Sequence, residues 1–474
     1  MNQNNPNIIY IMADQLRYQS CGYAGNDKAY TPNIDSLAAS AMNLENAVSG
    51  HPVCSAYRAS LFTGKYTTST GMVINELRMN PDHRCLADVL NDAGYKTNYI
   101  GKWHLYANEL GNHYDSDNSY IPPGKHRLGF DDYWAGYNFH HEYYKGYYHK
   151  DSPEKNIFEG YEPDAQTDLA IERLREISEQ DEPFALFLSY GTPHDPWTKD
   201  NVPDEYYEMF KDIDFNVPPN YSSDKDPYGD NWSNIDKNPE KIDEWMRVYY
   251  AMTANLDWNL GRLLKVIDNL ELSDETIVVF TSDHGEMFGA QGRMKKNIFY
   301  EEAVRIPFLI RWPGHIEKGT FSDICLNTVD IMPTLLSLAD LPIPEEVEGM
   351  DVSPILLGEK GKEPQAAFMQ NTGACAVWED GHEWRAVRDK KYTYAKYRVD
   401  GKELLFNNET DPYQQNNLAD HPAFQHKLEY YRKWMEEKMN SINDNFEKST
   451  YYRDNWIKNR KIERSATKDF VPND

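Results

Sequence analysis

The chain has 474 residues, 40% of them hydrophobic, which suits one large domain with a smaller one beside it. Its 49 Lys and Arg against 76 Asp and Glu leave a formal charge of −27, which argues against nucleic acid as a partner. The same field repels anions at long range, so an anionic substrate would need a local basic pocket.

Five cysteines (Cys21, Cys54, Cys85, Cys325 and Cys375), with no CxxC pair, argue against a disulfide framework and a structural zinc site. The 34 Tyr and 11 Trp are a heavy aromatic load, for a core or for the C–H faces of sugars. The opening MNQNNPNIIYIM has no long apolar core before its first strand, and no signal peptide or transmembrane run is read. The expectation is a cytoplasmic protein, or a periplasmic or secreted one if a leader has been removed.

In chain order, Asn7–Met12 reads as a short buried strand and Thr31–Met42 as a helix with Pro32 at its first position. Leu86–Ala93 reads as a helix stopped by Gly94, and Lys96–Ile100 as a second strand. Further strands are expected at Phe184–Tyr190, Thr276–Ser282 and Pro307–Trp312. Helices are expected at Thr167–Gln180, Glu244–Leu270 and Thr328–Ala339. This alternation predicts an α/β fold, a large mostly parallel sheet flanked by helices. Glu109–Asp164 and Asn201–Lys241 read as long aromatic loops. Past Gly358 the rhythm changes: Trp384–Tyr397 alternates like strands and Phe424–Met439 reads as a helix. The expected division is 1–360 and a smaller C-terminal α+β part, 361–474.

Chemistry gathers where the apolar runs end. The first leads into Asp14–Gln15, the second into Gly101–Lys102–Trp103–His104, the third into Pro193–His194–Asp195 and the fourth into Asp283–His284–Gly285. In a parallel sheet these carboxyl ends share one edge, where ligands bind. One strand ending in Asp is usually a turn or a cap, but four such ends together suggest a site. Asp14, Gln15 and Asp283 are hard oxygen ligands suited to Ca²⁺ or Mg²⁺, with His284 a softer neighbour.

Between the first two strands lies His51-Pro-Val-Cys54-Ser-Ala-Tyr-Arg58, running on to Thr63-Gly64. Ala59–Phe62 resembles an opening helix, which places Cys54 near an N-terminus that favours anions. Arg58, four residues on, then shares its face and puts a guanidinium beside Cys54. His51, before Pro52 and near Cys54, reads as structural in preference to a substrate contact. The stretch Asn138–His149 reads either as a sugar-contacting loop or as a solvated tyrosine-rich one.

This segment resembles the signature of the formylglycine-dependent (type I) sulfatases, in the alkaline-phosphatase-like superfamily. Cys54, Ala56, Arg58, Thr63 and Gly64 fill its places, with Ala56 where Pro is commoner. Asn7–Gln15, TPNIDSL at Thr31–Leu37, Gly101–His104, Asp283–Gly285 and Lys296 before Tyr300 extend the likeness over Asn7–Gly358. The resemblance implies an alkaline-phosphatase-like fold and a bacterial carbohydrate sulfatase. It implies that Cys54 is oxidised to formylglycine by a formylglycine-generating enzyme or an anaerobic maturase. It also implies a calcium or magnesium ion held by Asp14, Gln15, residue 54, Asp283 and His284. Arg58, Lys102 and Lys296 would hold the sulfate, His194 would protonate the leaving alcohol and His104 would accept a proton when sulfate is expelled. The implied substrate is a sulfated sugar. A related phosphodiester or phosphonate monoester hydrolase is the alternative. A carbohydrate-binding pseudoenzyme is disfavoured, because the catalytic set is complete.

Overall fold

The computed structural model describes residues 5–235 and 239–470. Its centre is an eight-stranded sheet. The strands are β1 (Asn7–Ala13), β2 (Met42–Leu44), β3 (Lys96–Lys102), β4 (Tyr133–Tyr137), β5 (Phe184–Ser189), β6 (Thr276–Ser282), β7 (Phe308–Arg311) and β8 (Thr320–Ser322). Their order is β8-β2-β7-β6-β1-β5-β3-β4. Every pairing is parallel except those of β7, which runs against both β6 and β2. The expected mostly parallel α/β sheet is therefore present.

The central strands are apolar throughout because both of their faces are covered. In β1 the residues alternate between two cores. Ile8, Tyr10 and Met12 pack with Leu61 and Phe62 of α2 (Cys54–Thr63), Leu86 and Val89 of α3 (Leu86–Asp92), and later Met332 and Leu336. Ile9, Ile11 and Ala13 pack against α1 (Pro32–Ser40), α4 (Glu162–Ile177) and the long α5 (Pro239–Asn269), through Ile34, Leu174 and Leu260. Met332 and Leu336 belong to α6 (Thr328–Leu338).

The C-terminal part is a four-stranded antiparallel sheet of β9 (Ala367–Asn371), β10 (Trp384–Arg388), β11 (Tyr392–Tyr397) and β12 (Glu403–Asn407), in that order. Helix α7 (Gln425–Ser441) covers one face through Leu428, Tyr431 and Met435. The other face carries Met369, Trp384 and Tyr397 onto Phe299 and Tyr300 of the first part.

Several boundaries differ from the sequence reading. Met42 opens β2 rather than closing the first helix, since the backbone is already extended at Ala41. Glu109–Asp164 is not only loop: Tyr133–Tyr137 adds an aromatic edge strand beside β3. Helix α4 begins at Glu162, with Pro163 and two acidic groups in its first turn, five residues before the expected Thr167. The Asn201–Lys241 stretch holds a short helix at Asp204–Phe210 and the start of α5, and its residues 236–238 lie outside the described residues, as do 1–4 of the opening segment. Among the described residues no helix is long and apolar enough to cross a membrane, and all five cysteines are free and buried.

Candidate active site

The four chemistry-bearing strand ends are adjacent, because β6, β1, β5 and β3 are consecutive in the sheet. Each strand delivers its residue for a local reason. Gly101 has φ +105, and a Cβ there would lie 2.0 Å from the Ser189 carbonyl oxygen, so only glycine lets β3 press against β5 and present Lys102. Gln15 and His104 adopt positive φ without being glycine, a strained backbone that surrounding contacts must hold. Gln15 is held by its N–H donating to Asp283 Oδ1 (3.0 Å) and its amide donating to Glu286 Oε2 (2.7 Å).

Cys54 is the first residue of α2, whose N-cap, Val53, offers no side-chain acceptor. Gly64 ends the helix in the left-handed conformation, with its N–H donating to Ser60 O. The Cys54 thiol points into a fully buried group, 3.1 Å from His284 Nε2 and 3.7 Å from Asp14 Oδ1. Burial, then Asp14, pushes this thiol up to about 12. Ligand atoms of Asp14, Cys54, Asp283 and His284 all lie within 4.8 Å of one another. His284 Nδ1 faces the Gly285 carbonyl oxygen at 3.1 Å, so it carries the proton and Nε2 turns a lone pair toward Cys54. Two buried carboxylates and an imidazole lone pair suit a divalent cation, so this donor set fits the metal that the sequence implies.

Basic groups ring the cluster. Arg58 donates from NH1 to Lys102 O (2.6 Å) and Ser189 Oγ (2.7 Å), and its NH2 lies 3.5 Å from Asp283 and 3.6 Å from Asp14. Lys102 Nζ bonds Asp14 Oδ2 at 2.5 Å. Lys296 Nζ donates to Gln15 Oε1 (2.5 Å) and lies 2.7 Å from His194 Nε2. Its neighbour Lys295 turns away to Asp195, at 2.7 Å.

The two carboxylates diverge. Burial alone would lift both, but Lys102, with His194 and Lys296, holds Asp14 well below the carboxylate range. Asp283 is pushed up to about 6, by burial and then by Asp14. His104 and His194 are both held well below the usual imidazole range, chiefly by burial and then by Lys102 and Lys296 respectively, so both are neutral.

All the residues expected from the sequence thus meet in one place, with Gln15 reaching the cluster through its backbone and Lys296. His51 is buried, with Nδ1 on Thr67 Oγ1 (3.2 Å), a structural position. The Asn138–His149 stretch is only partly solvated: His140, Tyr143, Tyr147 and His149 are buried, whereas Glu142, Tyr144 and Lys145 are exposed. Its Phe139 touches the rings of His104 (4.4 Å) and His113 (4.3 Å), and His141 stacks on His194 at 4.0 Å. Sequence reasoning missed Ser189 and Glu76, whose Oε1 lies 3.0 Å from His104 Nε2, and it marked Phe139 and His141 only as part of a possible sugar-contacting stretch. Long-range folding brings Ser189 and Glu76 in, and no local motif marks them. Glu286 was within reach, three residues after Asp283 in a segment already singled out.

A buried thiol at a helix N-terminus, an acidic pocket that fits a cation and three converging cations suit the hydrolysis of a tetrahedral oxyanion ester. The profile of the sulfatase family matches residues 6–341, and that of the C-terminal region of N-sulphoglucosamine sulphohydrolase matches residues 289–444. An ulvan-active sulfatase of Formosa agariphila is 37% identical over 451 residues, covering 94% of this chain and 83% of the relative. An endo-4-O-sulfatase of Bacteroides thetaiotaomicron is 30% identical, covering 87% and 88%. A crystal structure from Bacteroides fragilis described as a sulfatase, yidJ, superposes with a TM-score of 0.82 at 31% identity, covering 95% of this chain and 98% of that one. The chain belongs to the sulfatase family.

Proposed function

We propose that this protein removes O-sulfate from a sulfated carbohydrate, using residue 54 as formylglycine and a divalent cation. The observation that carries this reading is the position of Cys54. It opens α2 inside the four-donor cluster, whose Asp14 is bonded by Lys102 and whose two carboxylates lie within 3.6 Å of Arg58. The similarity to sulfatases named for ulvan and for a 4-O-sulfate position favours a sugar substrate.

A sulfate monoester resists attack because its oxygens repel nucleophiles and its alcohol leaves poorly. Residue 54, oxidised to formylglycine and hydrated, supplies a pair of hydroxyls, one to attack sulfur and one to expel sulfate. A divalent cation held by Asp14, Gln15, residue 54, Asp283 and His284 supplies charge that favours deprotonation and neutralises sulfate oxygens. Arg58, fixed by Ser189 and the Lys102 carbonyl, presents NH2 to the same pocket. Lys102 and Lys296 bring their ammonium groups to the sulfate oxygens, leaving Asp14 and Gln15 as they do so. His194 Nε2, bonded to Lys296 in the resting enzyme, takes up a proton as the monoanionic ester enters and gives it to the leaving oxygen. His104 has Nε2 on Glu76 and an Nδ1 without a hydrogen-bond partner, so Nδ1 is the atom open to accept a proton in the second step.

The test is a panel of sulfated mono- and disaccharides offered to the matured protein beside phosphodiesters and phosphonate monoesters. Sulfate release from at least one sugar, faster than any phosphorus ester is cleaved, is the expected result. Faster turnover of a phosphonate would overturn the sulfate assignment.

A further inference from the structure

Two aromatic rings border the basic cluster, and one of them stands out of the protein. Phe139, half-buried, lies on the Lys102 side, 4.6 Å from Nζ to ring centroid. Trp232 lies on the Lys296 side, its ring 5.5 Å from Lys296 Nζ and 5.6 Å from Lys295 Nζ. Trp232 is 44% exposed, although it sits one contact from the group that reaches His194 and Gln15. What sets this ring apart is its place: an exposed indole beside two ammonium groups offers an apolar face at the edge of a polar site.

The backbone that carries this ring is also anchored. Its loop folds back on itself, with Ser233 N–H donating to Asp230 Oδ1 (2.7 Å) and Asn234 Nδ2 donating to Gly229 O (2.8 Å). Arg293 clamps the loop from outside, donating to Ser233 Oγ (3.1 Å) and pairing with Asp226 (2.8 Å). Met294 N–H then donates to Ser233 O (2.8 Å), tying the loop to the segment that carries Lys296. The backbone beside Trp232 is thus bonded to the segment that carries Lys296. A ring on an anchored backbone binds with less entropy lost than one on a mobile loop.

We propose that Trp232 is a sugar-stacking platform. The ring of the sugar that carries the scissile sulfate lays its C–H face on the exposed part of the indole, while its sulfate reaches Lys296 and the cluster beyond. Phe139 is the second apolar contact, on the Lys102 side. This subsite rests on the carbohydrate reading above and sets which face and orientation of the sugar is accepted.

The experiment compares matured wild type with Trp232→Ala and Trp232→Phe, using the sulfated monosaccharide that the wild type hydrolyses fastest. Inorganic sulfate serves as a competitive inhibitor that probes the anion site alone. In Trp232→Ala, KM for the sugar should rise about tenfold, equal to about 1.4 kcal/mol, while kcat stays within about threefold. The inhibition constant of inorganic sulfate should stay within about twofold, and Trp232→Phe should recover most of the loss. An unchanged KM, a parallel loss of sulfate affinity, or a phenylalanine as poor as alanine would each overturn the platform. A wild type that releases no sulfate from any sugar would instead overturn the carbohydrate reading, and the subsite with it.

Discussion

Replacing His194 with alanine separates proton donation from charge neutralisation. The imidazole touches the cluster only through Nε2, 2.7 Å from Lys296 Nζ, while Nδ1 is committed to the Asp195 carbonyl oxygen at 2.9 Å. Its removal leaves Arg58, Lys102 and Lys296 in place to bind sulfate. The nearest remaining proton donor is the Lys296 ammonium. Burial lowers that ammonium, but Asp14 and Asp195 hold it above the usual lysine range, so it is a poor substitute acid. The loss should therefore span the usual range for general-acid catalysis, about 10²–10⁴ in kcat. That corresponds to about 2.7–5.5 kcal/mol of barrier. The assay is steady-state sulfate release from a sugar sulfate and from 4-nitrophenyl sulfate. The nitrophenolate leaves without a proton, so its turnover should fall by less than about tenfold. Equal losses on the two esters would refute the proton-donor role and leave His194 as a sulfate contact.

Arg58→Met should destabilise the metal-free protein by about 3–5 kcal/mol, because Asp14 and Asp283 would keep their burial and lose their shared guanidinium. Unfolding curves in chelator test this, and a loss under about 1 kcal/mol would contradict it. Glu162 is wholly buried beneath Tyr137 and Gln166, and burial pushes its carboxyl up to about 8 from 4.5. The unfolded chain releases this proton near pH 4.5 and the native one holds it to about 8, so the contribution falls as pH rises through that window. The whole change is at most about 4–5 kcal/mol. Stability of Glu162→Gln should decline less between pH 5 and 8 than that of wild type, and parallel curves would remove Glu162 as the cause.

What could be read from the sequence is what is local. The runs at Ile8–Met12, Ala185–Leu188 and Ile277–Phe280 are apolar because helices cover both sheet faces, so those strands were plain, and the reactive residues follow within a few positions. Cys54 and Arg58 were legible together because one helical turn joins them. The three-residue β2 is too short to show a period, and β4 carries its aromatic residues inside a stretch whose glycines and prolines read as loop. Glu76 reaches the site across a long separation with nothing beside it to hint at this, while Phe139, His141 and Trp232 lie in loops whose composition suggested sugar contact or function but not which side chains face the site. That Lys296 and not its neighbour Lys295 faces the cluster is likewise a matter of side-chain direction: Lys295 faces Asp195 and Lys296 faces Gln15.

Residue 54 decides the account. Peptide mass spectrometry of protein produced with its maturase, paired with sulfate release by the same sample and by Cys54→Ala, reads it directly. A loss of about 18 Da at this residue is expected from oxidation of a thiol to an aldehyde, with sulfate release that tracks the converted fraction and vanishes in a folded Cys54→Ala protein. Undiminished sulfate release by the alanine variant would contradict it.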